Sequence, residues 1–214
     1  DAMIIYPTVA NAPEQGVSQT QTDQTVYPPN GQPDIGKANG EPLGATANRD
    51  LMDCPEGSLF SCPPESSNNG FTSTLGTGYF CYQQFNGVSG AISQVTFWAI
   101  YTSAPPAEPT FKVVICEPGA TPGAVVTEII TPIPAVNTGV PVIGYQTYQF
   151  TVEVPATVLE EGWVGVEQQT SSPTFYWLNT MAGAGLQCYQ QGFGFRTERV
   201  ALCLGGGGGG AGDW

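Results

Sequence analysis

The sequence predicts an all-β fold, a β-sandwich of jelly-roll type with about nine strands, and three observations carry that prediction. The 214 residues include 28 Gly and 19 Pro, and no window longer than a turn or two keeps apolar residues at helical spacing. Aromatic and β-branched runs of strand length recur between turn residues, beginning with Gly78-Tyr79-Phe80-Cys81-Tyr82. One run alternates cleanly: Tyr148, Phe150, Val152 and Val154 share a face, and Thr147, Gln149, Thr151 and Glu153 share the other, the pattern of a half-buried strand.

Taken in order, residues 1–49 form an extended N-terminal segment. It carries one apolar patch, Met3-Ile4-Ile5-Tyr6, and then continues polar and Pro-punctuated past Val26 and Tyr27. So few large apolar residues cannot bury a core. Met3, Ile4, Ile5 and Tyr6, with Val26 and Tyr27, are expected to add as strands to a neighbouring subunit. The sandwich domain is expected over 50–204. It opens on a Cys- and Pro-rich stretch, Cys54 to Pro64, read as a stapled cap over one end. Strands are expected near 78–86, 92–102, 110–117, 124–131, 144–154, 162–169, 174–179, 186–191 and 198–204. Phe111-Lys112-Val113-Val114-Ile115-Cys116 alternates less cleanly and reads as more buried. Residues 205–214 form a glycine-rich tail, with Trp214 as an anchor at an interface.

Composition restricts function. Only 11% of residues are charged, against about 25% in an ordinary soluble domain, so surface polarity falls to Gln, Asn, Ser and Thr. The net charge is −13 with 5 cations, which leaves no basic patch for phosphate backbones, and no nucleic-acid partner is expected. No apolar run is long enough to span a membrane. The 6 cysteines and the absence of His fit disulfides in an oxidising compartment better than a metal centre. The chain starts at Asp1 rather than Met, which points to a removed signal peptide. An extracellular or cell-surface location is expected.

From Cys54 onward the chain resembles a recurring β-sandwich module of large bacterial extracellular and surface-layer proteins. The cues are Cys54-Pro55-Glu56-Gly57-Ser58-Leu59-Phe60, then Tyr82-Gln83-Gln84-Phe85 with Gly90-Ala91-Ile92-Ser93-Gln94-Val95-Thr96-Phe97-Trp98. Pro122-Gly123-Ala124-Val125-Val126 and the closing Arg199-Val200-Ala201-Leu202-Cys203-Leu204 complete them. The likeness covers residues 54–205. Such modules usually have no assigned chemistry, so it implies extracellular architecture. A single module with a long leader and a glycine tail looks like a repeating subunit.

No enzyme is expected. Without His, a Ser or Cys nucleophile lacks its ordinary base, and Glu153, Glu160, Glu161 and Glu167 specify no carboxylate pair. No cofactor is required, although Asp50, Asp53 and Glu56 offer hard oxygen ligands for calcium. Tyr176, Trp177 and Tyr189, rings beside amide side chains, are the candidates for binding extracellular glycans. Trp98 and Trp163 read as core. Six cysteines allow 15 pairings. Loop length favours Cys54 with Cys62; Cys81 with Cys203 would tie the first strand to the last, which leaves Cys116 with Cys188. The sequence thus predicts a secreted structural subunit that assembles with copies of itself through its N-terminal segment. The alternative is a monomeric carbohydrate-binding or adhesin module.

Overall fold

The computed structural model describes residues 49–206, apart from Ser66, Asn68 and Ala184, as two antiparallel sheets packed into a sandwich. The eight-stranded sheet holds β1 (Phe60–Cys62), β2 (Gly70–Thr72), β4 (Ala91–Tyr101), β7 (Val136–Val142), β8 (Tyr145–Val158), β10 (Phe175–Thr180), β13 (Arg199–Val200) and β14 (Leu202–Gly206). The six-stranded sheet has the order β12 (Gly194–Arg196), β11 (Cys188–Gln191), β3 (Phe80–Phe85), β9 (Gly162–Gln168), β5 (Thr110–Cys116), β6 (Val125–Pro132). Every strand expected from the sequence is present. The last one divides into β13 and β14, and β8 runs further than expected, to Val158. The short strands β1, β2 and β12 and the Pro-containing β7 were not expected. The assembly candidates Met3, Ile4, Ile5, Tyr6, Val26, Tyr27 and Trp214 lie outside the described residues.

The two faces of β4 show how the sandwich is filled. Val95, Phe97, Ala99 and Tyr101 point between the sheets, as a period of two requires. Ile92 points there too, three residues from Val95, because the β4–β8 register shifts between Ile92 and Gln94. A bulge of this kind adds a residue without turning the apolar set outward. Phe97 sits opposite Phe150 of β8, with ring centroids 5.2 Å apart and nearly parallel. Phe111 of the other sheet meets both edge-on, at 5.2 and 5.0 Å. These three fully buried rings tie one sheet to the other. Each such pair adds about 0.5–1.5 kcal/mol beyond the area it buries.

Both outer faces are partly covered as well. A short 3₁₀ helix, Arg49–Met52, lies over β4 and β8, where the Trp98 indole N–H donates to the Leu51 carbonyl at 2.6 Å and the Gln149 amide donates to it at 3.1 Å. Trp98 is therefore buried, as expected, but in an outer cluster with Ile100, Tyr145, Leu178 and Cys203. Trp163 is buried in a matching cluster on the other sheet, with Val114 and Cys116.

The connection from β7 to β8 is the two-residue turn Ile143-Gly144, with φ of 47° and 85°. Positive φ at both positions matches the twist of a hairpin, but it is strained for a β-branched residue. The Ile143 side chain is 40% exposed, so it contributes little packing in return. Ile143→Asn is expected to raise the unfolding free energy by about 1 kcal/mol, read as an upward shift of the urea midpoint.

Candidate functional site

The open side of the sandwich is the most distinctive surface. β6 ends its sheet and pairs only with β5. β7 pairs with β8 only at Tyr145–Gln149. From Phe150 to Val158 the far edge of β8 therefore has no partner among the described residues, although its other edge is paired with β4. The two unpaired edges face one another across a groove of about 550 Å³, lined by residues 129–134 and 151–153. At one end the chain crosses from β6 to β7 through Ile133, Pro134 and Ala135. At the other, the hydroxyls of Thr127 and Thr157 hydrogen-bond at 2.5 Å. Inside, Val152 and Ile133 are almost fully buried and Ile129 packs against the core. The rim carries the exposed Thr151, Glu153 and Ile130.

A second feature occupies the outer face of the six-stranded sheet. Phe195, Tyr189, Tyr82, Gly165, Val114 and Glu128 stand in one row across its strands. The rings of Tyr189 and Phe195 are 5.4 Å apart, and Tyr82 is 6.4 Å from Tyr189 and 4.5 Å from Phe80. Gly165 permits this: a Cβ there would lie 2.7 Å from the Tyr82 ring and 2.8 Å from Val114. Tyr82 therefore lies across the glycine rather than standing off the sheet. Beyond it, Lys112 pairs with Glu128 at 3.0 Å and sits 5.9 Å from the Phe80 ring centroid. Burial, with Cys116 and Glu167 nearby, pushes the Tyr82 phenol well above its ordinary range.

The cysteines correct the expected pairing. Cys54 is bonded to Cys203, with Cα atoms 5.6 Å apart and a sequence separation of 149. Neither Cys54–Cys62 nor Cys81–Cys203 forms, because the partners lie on opposite sides of a sheet. Cys203 faces outward into the Trp98 cluster, which Cys54 covers. Cys62 and Cys81 face the space between the sheets. Cys116–Cys188 fails for the same reason, with Cys116 on the outer face and Cys188 inside. Cys62, Cys81, Cys116 and Cys188 are buried thiols. Burial raises the first to about 11, the second to about 12 and Cys116 to about 11. Cys188 is raised well above its usual range by burial and the neighbouring Cys81.

The glycan candidates separate. Trp177 is fully buried between the sheets and donates its indole N–H to the Ala201 carbonyl at 2.7 Å. A ligand cannot reach it, which corrects its assignment. Tyr176 is half-buried on the outer face beside the Trp98 cluster. Tyr189 belongs to the aromatic row, whose other rings, Tyr82 and Phe195, with Phe80 beside Tyr82, sequence reasoning missed. Their alignment depends on strand register, which no local pattern encodes. Of the calcium candidates, Asp53 and Glu56 are exposed, and the Asp50 side chain lies outside those described. Among the described residues, no three His, Cys, Asp or Glu side chains gather as a metal site would require. No family model, curated protein or solved structure matches the chain.

Proposed function

We propose that the chain is an extracellular structural subunit that assembles with copies of itself into a filament, tube or layer, using its N-terminal segment. The observation that carries this reading is the open side of the sandwich. A strand edge running from Phe150 to Val158 without a partner among the described residues is a template for another chain. Natural domains commonly blunt such edges with lysine, proline or a covering loop. Here Pro132 and Pro134 lie on the β6 side of the groove, whereas the β8 stretch Phe150–Val154 carries neither lysine nor proline. The Cys54–Cys203 bond and the interlocked aromatic core suit a subunit that must persist outside the cell.

Deletion of residues 1–35 is expected to leave a folded monomer, whereas the full chain sediments as a concentration-dependent series of larger species. Polymers formed by the shortened chain would overturn the reading. The aromatic row favours a second reading, a glycan-binding module, because rings lying along a sheet face can stack on sugar rings. Saturable binding to a glycan array, lost on Tyr189→Ala in a chain that stays monomeric, would establish that reading instead.

A further inference from the structure

We propose that the groove between β6 and β8 receives Met3–Tyr6 of a second copy of this chain as an added strand beside β8. This rests on the self-assembly reading and names the surface and the segment through which it works. The regular part of the unpaired edge is Phe150–Val154. Beyond it the β8 register against β4 shifts and Pro155 has no N–H to donate to an added strand. Five residues span about 17 Å. The four-residue apolar run Met3-Ile4-Ile5-Tyr6, about 14 Å long as a strand, fits within that length, and it stops at Pro7, which has no N–H to continue a ladder. The Ile133–Ala135 crossover closes one end of the groove and the Thr127–Thr157 hydrogen bond closes the other. The proposed strand would lie between them, in line with β7.

Side chains of alternate residues in that strand would meet Val152 and Ile129, and the others would lie beside Ile130 at the rim. No other part of residues 1–48 has four consecutive large apolar side chains. The described domain begins at Arg49, on the outer face of the same sheet, where the Leu51 carbonyl binds Trp98 and Gln149. The 42 residues of 7–48 reach up to about 140 Å when extended. Their composition, with Pro13, Pro28, Pro29, Pro33 and Pro42, favours spacing over folding back. A neighbouring subunit is well within reach.

The test uses the full chain. Ile4→Asp/Ile5→Asp places a charge in the groove whichever face points inward, and it is expected to weaken assembly at least tenfold while leaving the thermal midpoint of the monomer unchanged. In parallel, Thr151→Cys is combined with Ile4→Cys or with Ile5→Cys under mild oxidation. The expected product is a ladder of disulfide-linked multimers on a non-reducing gel, where chains with only one added cysteine stop at dimers. Wild-type assembly with full assembly of the aspartate variant, or with no ladder, overturns the docking site and leaves the self-assembly reading standing. A wild-type chain that stays monomeric at every concentration overturns both. A cross-link confined to single chains overturns the second copy as occupant.

Discussion

Replacing Cys54 and Cys203 with Ala is expected to lower the unfolding free energy by about 5 kcal/mol, the loop-entropy value for a closure of this length. The bond joins residues 149 apart in sequence, so it constrains nearly the whole described domain in the unfolded state. It also clamps the entry of the domain to β14, the strand between β1 and β4. Ordinary domains are stable by about 5–15 kcal/mol, so the loss is a large share of the total. Urea unfolding of the oxidised chain and the double variant measures it directly. A difference below about 1 kcal/mol would mean that the bond relieves no unfolded-state freedom, contrary to the entropic account. Assembly is expected to survive the substitution below the lowered midpoint, because neither cysteine lines the groove.

Stability is expected to collapse above pH 9, before any comparable loss at neutral pH. The buried thiols Cys62, Cys81 and Cys116 move from an ordinary 9.0 to about 11, 12 and 11, chiefly because burial disfavours the thiolate. A group whose folded value is raised holds its proton more tightly in the folded state. Its contribution is complete below pH 9 and is lost as pH rises through the folded value. Each thiol costs up to about 1.4 kcal/mol per pH unit across that window. Three together reach several kcal/mol by pH 11. Tyr101, raised by burial with Tyr148 beside it, adds the same sign at higher pH. Urea midpoints at pH 8 and pH 10.5 should fall steeply for the natural chain and less steeply for Cys81→Ala. Equal slopes would show that these thiols are not buried as the structure places them.

What the sequence revealed divides along physical lines. Long strands such as β4, β5 and β8 were legible because their side-chain types repeat with strand periodicity and Gly or Pro bounds them. β7 was not, because Val136-Asn137-Thr138-Gly139-Val140-Pro141-Val142 reads as loop. It becomes a strand because the tight turn at Ile143-Gly144 folds it back along β8 at a sheet edge, where Pro141 is tolerated. The disulfide was misjudged because proximity in sequence was taken for proximity in space, whereas β1 turns Cys62 inward. The two rings on one strand show both outcomes. Trp177 and Tyr176, adjacent on a strand, fall on opposite faces as a period of two requires, but the sequence does not say which face is the core. The groove was illegible altogether, since an unpaired edge depends on the strand that fails to cover it.

A second copy is expected to bind along the edge of β8 from Phe150 to Val154. Hydrogen–deuterium exchange of that edge measures it most directly, comparing assembled wild-type chain with the monomeric Ile4→Asp/Ile5→Asp chain. Added main-chain hydrogen bonds predict slowed exchange at Phe150–Val154 and at residues 3–6 on assembly, with the paired β4 unchanged. Protection that appears elsewhere, on the aromatic row for instance, while 150–154 exchange equally in both states, would place the contact on another surface.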